Sequence, residues 1–179
     1  KPGFINSDIF RLYLKPIIGE IKIKDLKKEL IINATDLIQG ETFVFSGDDY
    51  LLDAIIASCS VPGLASPFKK DELLLSDGGI LNNFPTNLIK EKCDKIIGIY
   101  VCPLQDVKKN QLNSIKSVAT RAYELLSHSV ENYKFRDCDW LISPKELSNY
   151  GMFESKKTRM DELFQLGFSE AEKTFPKDF

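Results

Sequence analysis

One carboxylate in this sequence stands where a reactive group would be useful. Asp77 follows the apolar run Leu73-Leu74-Leu75 and is followed at once by Gly78 and Gly79. Ligands of open α/β sheets sit outside the carboxyl ends of the strands, so a strand ending in a carboxylate can present it as a general base. Two glycines after it admit a neighbouring group without Cβ obstruction. The same residues also suit an ordinary turn, in which Asp77 bonds its own backbone and the glycines supply positive φ. Ser58, Cys59 and Ser60 lie upstream and invite a nucleophile reading. A buried, inert Cys59 in a packing segment is the competing account.

Other chemistry-bearing residues form weaker patterns. Asp48, Asp49 and Asp53 could hold a cation, but acids in turns and at helix starts are commonplace, and no metal-ligand spacing repeats. Lys69-Lys70 and Lys108-Lys109 could touch anionic lipid headgroups or could simply be solvated. The single histidine, His128, lies among Leu125, Leu126 and Val130 and reads as a packing residue. With one histidine and no CxxC pair among Cys59, Cys93, Cys102 and Cys138, no metal is expected. No dinucleotide or P-loop fingerprint is present, so no cofactor is expected either.

The elements that must position these residues follow from periodicity. Ser7 to Ile18 reads as a helix, with Pro16 and Gly19 near its end. Leu30 to Thr35 and Thr42 to Phe45 read as strands paired through the turn at Gln39-Gly40. A helix carries Leu51 to Ala57 and stops before Val61-Pro62-Gly63. Ile96 to Val101 is apolar at successive positions, as a strand covered on both faces should be. A long helix aligns Leu112, Ile115, Val118, Ala119, Ala122, Leu125, Leu126, Val130 and Tyr133 on one stripe. Trp140 to Ser143 forms a short strand, and Met160 to Ala171 an amphipathic helix whose Gly167 implies close packing. Strands alternating with helices indicate an α/β layer architecture with a largely parallel sheet, in a single domain over residues 1–179.

Composition narrows the function classes. The 179 residues are 43% hydrophobic, with 12 Phe, 6 Tyr and one Trp, enough for a real core. A formal charge of -2, from 24 basic and 26 acidic residues, argues against a nucleic-acid partner. The longest uncharged stretch, Ala54 to Phe68, is broken by Pro62 and Pro67 and is too short to span a bilayer. Reduced thiols and the lack of a leader in these residues point to a cytoplasmic setting.

Several segments, taken in order, resemble the patatin-like phospholipase family. They are Ala34-Thr35-Asp36-Leu37 with Gly40-Glu41, Ala57-Ser58 with Pro62, Asp77-Gly78-Gly79, and Asn82-Asn83-Phe84-Pro85. The resemblance runs from about Gly3 to the final helix and covers the later two-thirds of the family's domain. It implies a three-layer α/β/α fold and lipid acyl hydrolysis by a Ser–Asp dyad. Asp77 would be the base, Gly78 and Gly79 the active-site loop, and Phe68, Leu81 and Phe84 candidate lining of an acyl pocket. The implied partners are a phospholipid or other acyl lipid and transient contact with a membrane surface.

The family's GxSxG nucleophile elbow and glycine-rich oxyanion loop do not occur in these residues. Gly167-Phe168-Ser169 is the nearest imitation, but it lacks the closing glycine and lies on a helix. The expectation is therefore an N-terminally incomplete domain that supplies the base alone and is inactive by itself. The alternative is a truncated, non-catalytic binding module. Incompleteness would leave apolar residues such as Ile31, Leu74 and Ile97 exposed, to be covered by the missing N-terminal segment or by a partner.

Overall fold

In the computed structural model, residues 3–104, 106–151 and 154–177 are described. The chain divides into two compact units, one up to Asn83 and one from Phe84 onward.

The first unit contains α1 (Asp8–Ile18), β1 (Ile32–Asp36), β2 (Glu41–Phe45), α2 (Leu51–Ser58), β3 (Phe68–Lys70) and β4 (Leu73–Asp77). Its four strands form one sheet in the order β2-β1-β4-β3. Every pairing in that sheet is antiparallel, which corrects the expectation of a largely parallel one. For two of the three pairings the reason is local. β1 and β2 are joined by the tight turn at residues 37–40, where Gly40 takes φ +69°. β3 and β4 are joined through Asp71 and Glu72, with Asp71 at φ 51°. Hairpin connections this short permit only antiparallel neighbours.

α2 carries the hydrophobic load. Its Leu52, Ala54, Ile56 and Ala57 are buried with Ala34, Phe45, Phe68 and Leu75 in one core cluster. The small residues Ala34, Ala54 and Ala57 let the helix approach the sheet closely, and Phe10, Leu14 and Ile18 of α1 pack against the same cluster. Gly19 closes α1 at φ +74° and donates its N–H to the Lys15 carbonyl at 2.8 Å.

The second unit contains β5 (Ile97–Ile99), α3 (Ile115–Glu131), β6 (Trp140–Ile142) and α4 (Lys157–Thr174). β5 and β6 pair in parallel, so the molecule is a mixed α/β protein with one small parallel sheet. Phe84 anchors this unit, meeting Tyr100 and Phe135 edge-on at 5.7 and 5.1 Å between ring centroids. Glu131 and Lys134 form a buried ion pair, and a Glu131 carboxylate oxygen also accepts the Phe84 N–H at 3.0 Å. α4 is fixed to β6 by the Trp140 indole N–H, which donates to the Thr174 hydroxyl at 3.1 Å.

Two packing expectations fail in this unit. Ile115, Val118, Leu125 and Leu126, on the apolar stripe of α3, are exposed, while the Val130 side chain lies outside what is described. Gly167 has no atom within 4 Å of where a Cβ would stand, so close packing does not explain it. A sheet only two strands wide lacks the surface to cover both long helices.

Candidate active site

β4 delivers Asp77 to the end of the first unit's sheet, and the chain then turns at once into a 3-10 turn over Gly78–Ile80. The Asp77 carboxylate accepts the Gly79 N–H at 2.6 Å. Its own N–H donates to the Ser60 carbonyl at 3.0 Å, and its carbonyl accepts the Thr35 hydroxyl at 2.9 Å. The Ser60 carbonyl also accepts the Ser76 hydroxyl at 2.7 Å. Asp77 is thus tied to β1 on one side and to the segment leaving α2 on the other.

The two glycines act by absence of volume. Neither has positive φ. A Cβ on Gly78 would stand 2.5 Å from the Asn33 carbonyl oxygen and 2.6 Å from its side-chain nitrogen. A Cβ on Gly79 would stand 2.8 Å from the Asp77 and the Asn83 side-chain oxygens. Asn33, buried on β1, donates its side-chain amide to the Asn82 carbonyl at 3.0 Å and to the Gly78 carbonyl at 3.4 Å. It closes the loop as a clasp. Asn33→Ala should destabilise the protein by about 1–3 kcal/mol, because it strips a donor from buried carbonyls. Urea unfolding measures this, and a change under about 0.5 kcal/mol would deny Asn33 that part.

Burial pushes the Asp77 carboxyl above the ordinary carboxylate range, and the Gly79 N–H only partly offsets it. No described side-chain hydroxyl donates to that carboxylate: Ser60 gives its hydroxyl to the Ile56 carbonyl and Ser76 gives its own to Ser60. Cys59 is exposed, contrary to the expectation that it is buried. Its thiol is nonetheless pushed up, first by burial of the sulfur's surroundings and then by the negative charge of Asp77.

The other candidates separate. Phe68 lies in the core cluster of the first unit, Phe84 in the aromatic cluster of the second, and Leu81 is exposed beyond the 3-10 turn. A cavity of about 300 Å3 opens between Val107 and Glu124, and one of about 230 Å3 beside Arg11 and Tyr50; Asp77 borders neither. Asp48 pairs with Lys22 and Lys24, Asp49 with Lys70, and Asp53 with Arg11. Hydrogen bonds from Lys24 and Lys22 bring the Asp48 carboxyl down to about 2. These acids are spent on cations of the chain. His128 lies half-buried beside Tyr100 and Phe135, with ring centroids 6.3 and 6.4 Å away.

The clasp by Asn33 and Thr35 escaped the sequence reading. The available signal was the polar pair inside an otherwise apolar strand, where a buried polar side chain requires a partner.

The geometry coincides with a comparison to known families. The model of the patatin-like phospholipase family matches residues 1–89, which include β1, α2, β4 and the whole Asp77 loop. Residues 1–89, just under half of the chain, are similar to the patatin-like phospholipase family. The match of the family model runs to residue 89, and the resemblance read from the sequence extends further, to the final helix. An uncharacterized NTE family protein of Mycobacterium bovis is 38% identical to the chain over 84 residues, 46% of this chain and 23% of that protein. One of Mycobacterium tuberculosis H37Rv matches at the same identity and extent. A second Mycobacterium bovis protein named for the same family is 33% identical over 84 residues, 47% of this chain and 14% of its own length. The patatin-like match therefore spans under a quarter of these relatives. No helix of the described residues is long and apolar enough to cross a membrane.

Proposed function

We propose that this chain is part of a lipid acyl hydrolase of the patatin type, in which Asp77 is the base of a Ser–Asp dyad. The nucleophilic serine lies outside the 179 residues, since no GxSxG occurs within them. The observation that carries this reading is Asp77 itself. It is a desolvated carboxylate at a strand end, in a loop whose glycines are demanded by close approach rather than by φ.

In the reaction, Asp77 takes the proton of the serine hydroxyl as the serine oxygen attacks the acyl carbonyl. Backbone N–H groups stabilise the oxyanion, and the protonated Asp77 returns the proton to the departing alcohol. Water, deprotonated by Asp77, then releases the fatty acid. A raised Asp77 affinity for protons suits this work, because a stronger base accepts the hydroxyl proton more readily. The fold of the whole would be the three-layer α/β/α arrangement, with this chain as its later part. Its substrate would be a phospholipid or other acyl lipid met at a membrane surface, and Leu81 is the acyl-contacting candidate that is exposed rather than packed among core residues.

The test is hydrolysis of a p-nitrophenyl ester and of phosphatidylcholine vesicles by the product of the complete reading frame, with labelling by a fluorophosphonate. Serine-dependent turnover by that product and none by the 179-residue chain is the expected pair of results. Serine-dependent turnover by the 179-residue chain would refute the missing nucleophile. An unreactive complete product would favour a non-catalytic binding module.

A further inference from the structure

Asp77 falls at a position in the first unit's sheet where the ladder leaves its peptide groups unbonded. Leu37 donates its N–H to the Leu74 carbonyl at 2.9 Å, which makes these two a hydrogen-bonded pair continuing the β1–β4 register. Bonded and non-bonded pairs alternate along antiparallel strands. Thr35 and Ser76 are then the next bonded pair, and Ala34 and Asp77 are a non-bonded one. On its other side β4 is paired with β3 only as far as Leu75, opposite Phe68. Neither neighbouring strand therefore bonds the Asp77 N–H or C=O through its backbone.

Other groups take that place. The Ser60 carbonyl accepts the Asp77 N–H at 3.0 Å, and the Thr35 hydroxyl donates to the Asp77 C=O at 2.9 Å. Alternate residues of a strand share a face, so Asn33 and Thr35 point the same way, while Ala34 between them enters the core cluster. Asn33 and Thr35 grip consecutive carbonyls, Thr35 that of Asp77 and Asn33 that of Gly78. Peptide groups are planar, so these two bonds set the planes of both peptides between Asp77 and Gly79. The N–H at the end of the second plane is the one that the Asp77 carboxylate accepts at 2.6 Å. Glycine backbones rotate readily, and nothing in Gly78 or Gly79 themselves holds that geometry. Valine has the shape of threonine and suits a strand equally well. What Thr35 adds is the bond.

We propose that Thr35 is a positioning residue for proton transfer at Asp77: through the Asp77 carbonyl it fixes the turn that aims the carboxylate. Thr35 is 3% exposed and so does not meet a substrate, which places its effect on the chemical step rather than on binding. A slightly misplaced base loses rate steeply. The inference rests on the proposed function, in which Asp77 is the base.

Thr35→Val and Thr35→Ser in the product of the complete reading frame test it. Thr35→Val should lower kcat on a p-nitrophenyl ester by about ten- to a hundredfold, with KM unchanged within about twofold. Thr35→Ser, which keeps the hydroxyl, should restore most of the loss. Amide hydrogen exchange separates a loosened loop from general destabilisation. In Thr35→Val the Gly79 amide should exchange at least about tenfold faster, while the Leu37 amide keeps its protection. An unchanged kcat in Thr35→Val would overturn the inference. So would a Thr35→Ser variant as slow as Thr35→Val, or a Leu37 amide that loses protection as fully as Gly79. Absence of serine-dependent turnover in the unaltered product would remove the proposed function and this inference with it; turnover there with an unimpaired Thr35→Val would remove the inference alone.

Discussion

Asp77→Asn in the complete protein should lower acyl hydrolysis by about 10²–10⁴-fold, the range set by loss of a general base. It should also make the protein more stable at neutral pH. The sign follows from burial, which raises the folded-state affinity of Asp77 for its proton above the ordinary value of 3.8. The stabilising contribution of the neutral form is fully present below that ordinary value. It is lost as pH rises through the raised folded value, so at pH 7 the ionised carboxylate burdens the fold. Asparagine keeps the shape and an acceptor oxygen for the Gly79 N–H while removing the charge. Melting temperatures of the two proteins should therefore differ at pH 7, with the variant higher, and converge below about pH 4. Retained turnover would take Asp77 out of the mechanism, and a variant less stable at pH 7 would show that the Gly79 bond outweighs desolvation.

The largest stability loss is expected at Gly78. An added methyl group would stand 2.5 Å from the Asn33 carbonyl oxygen, a backbone atom held by the β1 ladder. Relief requires moving the loop, which stretches the bonds from Asn33 to the Gly78 and Asn82 carbonyls. Overpacking costs about 1–3 kcal/mol, and weakening the clasp adds about 1–3 kcal/mol more. Gly79→Ala meets only side-chain oxygens, of Asp77 and Asn83, which can rotate. It should cost about 1 kcal/mol or less, yet displace the carboxylate and depress turnover. Urea midpoints of the two variants decide the matter. A larger drop at Gly79 than at Gly78 would contradict this account of the loop.

Local signals made much of the first unit legible. The hairpin of β1 and β2, the helix over Leu51–Ser58 and the turn after Asp77 were each announced by the residues that build them. β3 was not, because Phe68-Lys69-Lys70 carries one apolar residue and two charges, and its pairing depends on Asp71 adopting positive φ. Its omission hid the second hairpin and left the sheet looking parallel. The Asp77 loop could be located from its sequence, but the clasp could not, since Asn33 and Asn82 are 49 residues apart. In the second unit an apolar run was correctly seen as strand. The run implied cover on both faces, but Ile97, Ile99 and Val101 are exposed where Ile96 and Tyr100 are buried, a difference that an unbroken apolar run does not encode.

The surroundings of Cys59 bear on how this loop would age. An exposed cysteine beside a carboxylate would ordinarily be open to an oxidant, but it is the thiolate that reacts. Burial and the Asp77 charge both keep the proton on this sulfur. Peroxide or an alkylating agent should therefore modify Cys59 slowly for an exposed cysteine. Asp77→Asn should remove the smaller part of that effect and leave the part due to burial, which the rate of iodoacetamide labelling at Cys59 measures.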